Sequence, residues 1–268
     1  VPAGAAWKDV RLLAADSQRE EELRALTAHR PEVVIDIPGT AMTTYRAFRG
    51  SAQHVVAVGS LWMFGEPRVV PTPEETQGPC PFEGYARRYA DIRRMVSSGA
   101  ADGLAFTAVM PPNICGPGSI PLDCLGGRDI ELHRAHARGE EVVLPEGPEA
   151  IVGPCDAEDV ARCIVLAVEG RQQAAGQVFN VGSATAITWT ELVAAYSEIH
   201  GVTIPIRRVS WSQYVREVSP GMGHWFHLKA AMCPDIGKAR RLLGYEPRYS
   251  PRQALERAVE WMRREKLL

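Results

Sequence analysis

A hydroxyl and a phenol are the side chains whose placement best suits chemistry. Ser60 directly follows the apolar residues 54–59, a predicted buried strand, and Tyr85 stands near the start of the predicted helix 83–98. Ligands of open parallel sheets bind at the carboxyl ends of the strands, so a helix that begins there would bring the phenol to the hydroxyl. A phenol and a hydroxyl that converge on a carbonyl can deliver a proton while hydride moves. Taken alone, the pair is weak evidence for an active site, because serines at strand ends and tyrosines on helices are common.

The elements that must position this pair predict an α/β fold. Strands are predicted at residues 10–15, 33–37, 54–59, 104–109, 178–181 and 204–206, and helices at 18–29, 83–98, 129–138, 156–168, 189–200, 236–243 and 251–264. In the first half the strand segments are continuously apolar, which indicates burial on both faces, as in a parallel sheet covered by helices. The prediction is a doubly wound parallel sheet with a smaller C-terminal substrate-binding region.

Composition argues against several functional classes. Hydrophobic residues make up 46% of the 268 and charged residues 23%, which is ordinary for a globular protein. No apolar run reaches the roughly 18 residues of a membrane span, and the net charge of −2 argues against nucleic-acid and membrane partners. The six irregularly spaced cysteines predict reduced thiols, and residues 1–5 lack the pattern of a leader, so a cytoplasmic location is expected. The pairs His133/His136 and His224/His227 lack a completing ligand, and no metal site is predicted.

Five segments in order along nearly the whole chain carry a resemblance. They are residues 59–65 (GSLWMFG), 110–118 (MPPNICGPG), 156–161 (DAEDVA), 176–182 (GQVFNVG) and 238–247 (KARRLLGYEP). These segments resemble the S-S-x-x-x-Y-G, R-x-x-N-v-y-G-P-g, H-V-D-D-V-A, G-x-v-y-n-v-g and K-a-r-x-x-L-G-w-x-P patterns of the extended short-chain dehydrogenase/reductase family, the NAD-dependent epimerase/dehydratase group. Ser60 falls on the catalytic Ser/Thr of that family, and Tyr85 falls on its catalytic tyrosine.

The resemblance implies a Rossmann-type sheet and an NAD- or NADP-dependent epimerase, dehydratase or reductase. Its substrate would carry a hydroxyl or carbonyl and be small, for example sugar-derived. The residues expected beside the cofactor are Asp16, Ser17, Pro38, Gly39, Pro111 and Asn113. The partial Rossmann domain would span residues 1–113 with about 151–200, and the substrate-capping region about 114–150 and 201–268. A homodimer is expected through the helix 83–98.

Two departures from the family pattern bear on cofactor binding. No G-x-x-G-x-x-G turn occurs, and residues 10–16 resemble the third strand of the family, so its first two strands are missing. Three interpretations stay open: the sequence is a fragment, another segment supplies the strands, or the protein no longer binds a dinucleotide in the usual way. The start without Met favours a fragment. The second departure is Tyr89, a candidate catalytic position. It stands where Y-x-x-x-K has the lysine that holds the nicotinamide ribose. Arg88 could place a cation near the Tyr85 phenol, but it is expected to face solvent.

Substrate and activity also stay open at this stage. Residues 150–155 lack the arginine that contacts the diphosphate in many sugar-nucleotide members, which argues against a UDP-sugar unless another arginine substitutes. Cys115 is interpreted as a small buried residue and not as a reactive thiol. Trp225 and Phe226 are interpreted either as part of a pocket wall or as part of the core. The alternative hypothesis is a degenerate family member that binds a ligand or partner without redox turnover.

Overall fold

Strands and helices alternate along residues 8–268, the part of the chain that this computed structural model describes. The strands are β1 Val33–Asp36, β2 His54–Val58, β3 Ala105–Met110, β4 Asn113–Cys115, β5 Val142–Pro145, β6 Ile151–Val152, β7 Pro154–Asp156, β8 Gln177–Asn180, β9 Ile187–Thr188 and β10 Ile206–Val209. The helices are α1 Glu20–Ala25, α2 Ala41–Phe48, α3 Glu83–Ser98, α4 Ile130–Ala137, α5 Ala157–Glu169, α6 Arg171–Ala174, α7 Trp189–His200, α8 Trp211–Gln213, α9 Met222–Lys229, α10 Gly237–Leu243 and α11 Pro251–Arg264. The expectation about residues 1–5 lies outside the described residues.

Four parallel strands in the order β1-β2-β3-β8 form the main sheet of the described residues. Every residue of β2 is buried, because helices cover both of its faces. Val55 and Ala57 pack with α2 and α3 in one core cluster, while Val56 and Val58 pack with α5 and α10 in another. This two-residue alternation places successive side chains on opposite faces, and the predicted parallel sheet between helices is confirmed.

The predicted strand at residues 10–15 is wrong. The structure pairs no strand with these residues, and Val10, Leu12 and Leu13 keep between 44% and 53% of their surface exposed. An apolar run becomes a buried strand only where a neighbouring strand completes its hydrogen-bond ladder, and β1 is an edge of the sheet within residues 8–268. The first helix likewise begins later than predicted, at Glu20, because Asp16 turns the chain by accepting from the backbone N–H of Gln18 at 2.9 Å.

The smaller region has a core of its own. Its buried side chains come mainly from α7, α11, β5 and the segment before α4: Cys115, Leu122, Cys124, Val142, Leu144, Val152, Trp189, Leu192, Val193, Ala195, Tyr196, Ile204, Val209, Tyr214, Leu228, Ala254, Leu255, Ala258 and Val259. β10 pairs with β5 in parallel, so the predicted strand at 204–206 is shifted to Ile206–Val209. This second core stands beside the carboxyl ends of the main strands, where a ligand of the sheet would bind.

The DAED segment ties the two parts of the molecule together. Asp156 caps α5 by accepting from the backbone N–H of Glu158 at 2.8 Å, and its other oxygen pairs with Arg257 of α11 at 2.8 Å. Asp159, also buried, accepts from the backbone N–H groups of Arg248 and Tyr249 just before α11. The segment that resembles H-V-D-D-V-A therefore has a structural role here, holding α11 against the start of α5.

Candidate active site

A cavity of about 430 Å³ opens at the carboxyl ends of β2 and β3. Its lining residues are Ser60, Trp62, Phe82, Tyr85, Pro112, Asn113, Leu122, Gly126, Gly127, Arg128, Gly223, His224 and His227. The sequence-predicted residues Ser60, Tyr85 and Asn113 therefore meet in one place, although each comes from a different element. The remaining wall comes from the segment before α4 and from α9.

Ser60 is fixed where β2 ends. Its Oγ accepts from the backbone N–H of Trp62 at 3.3 Å and so caps the short 3₁₀ turn Leu61–Phe64. The backbone N–H of Leu61 also bonds the carbonyl of Pro111 at 3.0 Å, which ties this turn to the end of β3. Because no described residue accepts the Ser60 hydroxyl hydrogen, this O–H can donate to a ligand in the cavity.

Tyr85 is held by aromatic and cationic neighbours. It is the third residue of α3, half-buried, and its ring meets that of Phe82 edge-on with centroids 6.0 Å apart. The guanidinium carbon of Arg88, one turn later, lies 5.7 Å from the centre of the Tyr85 ring. The phenolic oxygen bonds no described residue, so it remains free to exchange a proton with a ligand.

Arg88 and Tyr89 occupy different surroundings from those expected. Arg88 is half-buried and lines a second cavity of about 210 Å³, so the expectation that it faces solvent is wrong. The reason is Gly39, whose φ of +83° and missing Cβ leave the space that the guanidinium fills. Tyr89 instead packs edge-on against Phe64 with ring centroids 5.3 Å apart, beside the first core cluster, and it does not line either cavity.

The other predicted cofactor residues are spread along the sheet edge. Gly39 lines the 210 Å³ cavity, and Asn113 lines the larger one. Pro111 is buried and lines neither cavity, and its carbonyl accepts from the backbone N–H of Leu61 in the turn after β2. Pro38 and Asp16 are exposed and, like Ser17, line neither cavity.

The described residues fit one part of an NAD(P) molecule. Arg88 has no carboxylate partner among residues 8–268, and with the Gly39 cradle it offers a cation to an anionic or ribose group next to Tyr85. A dinucleotide pyrophosphate also needs a glycine-rich turn that presents backbone N–H groups at a helix N-terminus. Residues 8–268 contain no such turn, so they fit the nicotinamide side of the cofactor and not its adenosine side.

The three basic side chains of the lining were not assigned to this site from the sequence: Arg128, His224 and His227. Arg128 donates to the backbone carbonyls of Ile114, at 2.8 Å, and Ile120, and it has no carboxylate partner in the described part of the chain. His227 donates from Nδ1 to the carbonyl of Gly126 at 2.9 Å. Arg128 lies in a loop, and the spacing of His224 and His227 suggests a metal pair and not this cavity, so only the folded chain brings the three residues to Ser60 and Tyr85.

Asn113 closes the cavity from the β4 side. It is buried, its Oδ1 accepts from the backbone N–H of Gly153 at 3.4 Å, and its own N–H bonds the carbonyl of Gly153 at 3.3 Å. These two bonds to Gly153, the residue between β6 and β7, fix the plane of the Asn113 side-chain amide. The Nδ2 group has no described hydrogen-bond partner, so it is available as a donor to a ligand of the cavity that Asn113 lines.

Cys115 is unsuited to nucleophilic chemistry. Burial raises the pKa of its thiol to about 12, so the thiolate is scarce at neutral pH. Within residues 8–268 no group of three or more His, Cys, Asp and Glu side chains is arranged to hold a metal ion. In the same residues no helix combines the length and apolar character needed to cross a bilayer.

Comparison with known families matches residues 40–182 to the NAD dependent epimerase/dehydratase family. A UDP-glucose 4-epimerase from Corynebacterium glutamicum is 26% identical over 230 residues, which is 79% of this chain and 64% of that protein. UDP-D-apiose/UDP-D-xylose synthase 1 from Arabidopsis thaliana is 25% identical over 214 residues, 71% of this chain and 53% of that protein. The chain thus spans between about half and two thirds of the length of these relatives.

Solved structures share the fold. UDP-glucose 4-epimerase from Thermotoga maritima, solved with UDP-glucose, superposes with a TM-score of 0.73 at 22% identity, covering 94% of this chain and 84% of that one. UDP-glucose-4-epimerase from Stenotrophomonas maltophila, solved with NAD and formylated UDP-arabinopyranose, gives a TM-score of 0.72 at 19% identity, covering 94% and 82%. These likenesses confirm the Rossmann-type fold predicted from the sequence.

Proposed function

We propose that this chain, which belongs to the NAD dependent epimerase/dehydratase family, forms the substrate side of an NAD(P)-dependent epimerase, dehydratase or reductase. Its substrate carries a hydroxyl or carbonyl on a sugar-derived ring. The observation that carries the proposal is the meeting of the Ser60 hydroxyl, the Tyr85 phenol and the Asn113 amide in one cavity of about 430 Å³. A proton donor or acceptor and two oriented hydrogen-bond donors around one space suit the interconversion of an alcohol and a carbonyl.

Each of these side chains has a role that follows from its free hydrogen-bonding group. NAD(P), when bound, accepts or returns hydride. Ser60 donates its O–H to the substrate oxygen, and Tyr85 takes or gives the proton at its phenolic oxygen. Asn113 orients the substrate with its Nδ2 donor, and the buried ring of Pro112 forms the apolar wall beside it.

A nucleoside diphosphate sugar is the substrate class that best suits the charge of the cavity. The lining contains no Asp or Glu, and it contains the Arg128 guanidinium, which lacks a carboxylate partner in the described residues. An arginine with free donors binds phosphate oxygens well. Arg128 thereby meets the need that residues 150–155 leave open, and the two relatives named above are UDP-sugar enzymes.

Replacing Tyr85 with phenylalanine tests the proposal. Tyr85→Phe removes one oxygen that bonds no described residue, so we expect an unchanged melting temperature and a turnover rate lower by about two to four orders of magnitude. The assay follows NAD(P)H absorbance and sugar products with UDP-glucose as substrate. Tyr249→Phe, two residues before the first residue of α11 and away from the cavity, is the control. Full activity of Tyr85→Phe would remove Tyr85 from the mechanism.

The second candidate function is ligand binding without redox turnover. It is favoured by Tyr89, which packs against Phe64 where the family has its active-site lysine. Calorimetry with NAD, NADP and UDP-glucose, together with the turnover assay above, separates the two functions. Binding of the sugar nucleotide without turnover supports the second function. The choice between NAD and NADP stays open. Three further points stay predictions: a homodimer through α3, the cytoplasmic location, and the division into residues 1–113 with 151–200 and 114–150 with 201–268.

A further inference from the structure

His227 is held in one orientation by contacts on three sides. Its ring meets the Trp62 ring edge-on, with centroids 4.8 Å apart, and its Nδ1 lies 2.9 Å from the carbonyl oxygen of Gly126. Its backbone carbonyl accepts from the indole N–H of Trp189 at 3.3 Å. The next residue toward the N-terminus, Phe226, is buried against the same Trp62 ring. The imidazole is therefore a fixed part of the cavity wall.

The hydrogen bond to Gly126 settles which ring nitrogen of His227 carries the proton. A backbone carbonyl can only accept, so Nδ1 must be the donor. Burial lowers the pKa of His227 to about 4, and the ring is neutral at physiological pH. Nε2 is then left with an unshared electron pair and acts as an acceptor. No described residue donates a hydrogen bond to Nε2. It is also not one of the fully buried polar atoms that lack a hydrogen-bond partner, so a ligand can reach it.

This acceptor belongs to a residue that lines the same cavity as a set of donors. The free groups of Ser60, Asn113 and Arg128 are an O–H, an amide N–H₂ and guanidinium N–H groups. A carbonyl or phosphate oxygen satisfies such donors, but a hydroxyl group on the same ligand also needs an acceptor for its hydrogen. His227 Nε2 has that capacity and is rigidly placed.

We propose that His227 accepts a hydrogen bond at Nε2 from a ring hydroxyl of the sugar and so determines which sugar the cavity takes. The inference rests on the proposed function for the class of substrate, a nucleoside diphosphate sugar, and adds the residue that reads its hydroxyl pattern. A sugar whose hydroxyl is missing or inverted at the contacted carbon would leave Nε2 unpaired against the cavity wall. An unpaired buried acceptor costs affinity, which is the source of the selectivity.

Two amide substitutions separate the roles of the ring nitrogens. His227→Asn places an amide N–H₂ near the position of Nδ1, which preserves the bond to Gly126, and removes the acceptor. His227→Gln extends the amide to the position of Nε2 and restores an acceptor oxygen. Isothermal calorimetry measures the affinity of each variant for UDP-glucose and for UDP, with the melting temperature as the check on folding.

We expect His227→Asn to bind UDP-glucose about fivefold to tenfold more weakly, and UDP within twofold of the unsubstituted protein. His227→Gln should recover most of the lost affinity. Equal weakening toward UDP-glucose and UDP would overturn the inference, as would unchanged affinity in both variants. If the unsubstituted protein binds UDP-glucose without turning it over, the catalytic proposal fails and the binding comparison still decides the role of His227. If it binds neither nucleotide, both proposals fail.

Nitrogen-15 NMR of the histidine rings gives a readout that needs no substitution. In the free protein the Nε2 resonance of His227 should have the shift of an unprotonated imidazole nitrogen. UDP-glucose should move that resonance in the direction of an accepted hydrogen bond, while UDP should leave it in place. A His227 ring that is protonated at Nε2, or one that does not respond to UDP-glucose, would overturn the inference.

Discussion

At the scale of single residues, substitutions of Tyr89 test whether its role is in packing or in catalysis. Its ring contacts Phe64 edge-on at 5.3 Å, and its hydroxyl bonds no described residue. Tyr89→Lys removes the aromatic pair and brings an ammonium group to the edge of the core, so we expect the free energy of unfolding to fall by about 1 kcal/mol. Tyr89→Phe keeps the ring and is the control, with unchanged stability. Urea unfolding of both variants measures the difference.

A competing expectation for the same substitution follows from the family pattern. If a lysine at position 89 took up the role of the family lysine, Tyr89→Lys would bind NAD(P) more tightly and keep its stability. The packing of Tyr89 away from both cavities argues against that outcome. Tighter nucleotide binding by the lysine variant, with an unchanged urea midpoint, would contradict the packing role assigned to Tyr89.

The sequence predicts some cavity residues and not others for a physical reason. Ser60 and Asn113 follow strands, and the carboxyl ends of parallel strands meet at one edge, so local patterns suffice to bring them together. Arg128 and His227 come from a loop and a helix whose positions depend on the packing of the second core. No local periodicity encodes that packing. The half-buried position of Arg88 depends in the same way on a distant glycine, Gly39.

At the scale of elements, Arg257 of α11 pairs with two carboxylates at the start of α5, those of Asp156 and Glu158, and the buried one carries most of the energy. Asp156 is fully buried, and Arg257 is both its partner at 2.8 Å and a cation stacked 4.1 Å over the Tyr249 ring. Arg257→Ala leaves a buried carboxylate without its counter-charge, which typically costs about 3–5 kcal/mol of stability. Arg248→Ala breaks only an exposed pair with Glu158 and should cost less than about 1 kcal/mol. Denaturant midpoints of the two variants make the comparison.

The same ion pair shows where sequence reasoning about elements succeeds. Asp156 before an amphipathic segment predicts a capped helix, and α5 begins there as expected. The partner of that aspartate lies about a hundred residues away in α11, beyond the reach of any local pattern. The wrong prediction of a strand at residues 10–15 has the same origin, because strand formation depends on a neighbouring strand that an apolar segment alone does not provide.

A loss of less than about 1 kcal/mol in Arg257→Ala would show that water reaches Asp156 and would contradict the role of this ion pair in holding α11 against α5.

At the scale of the whole molecule, buried histidines set how stability depends on pH. Burial lowers the pKa of four of them to about 4, from an ordinary value of 6.5: His54, His136, His200 and His227. The unfolded chain therefore binds protons below about pH 6.5 that the folded chain refuses until about pH 4. Stability contributed by the neutral rings is complete above pH 6.5 and declines as the pH falls through that window.

We expect the free energy of unfolding to decrease between pH 7 and pH 5 by on the order of 1 kcal/mol for each of the two fully buried rings, His54 and His136, and by a smaller amount for the half-buried ring of His227. The measurement is urea unfolding at constant ionic strength across that range. His227→Asn removes one of the titrating groups, so its loss between pH 7 and pH 5 should be smaller than that of the unsubstituted protein. A flat stability profile, or an equal slope in His227→Asn, would mean that His227 takes up its proton in the folded state, and Nε2 would then be a donor and not the acceptor inferred above.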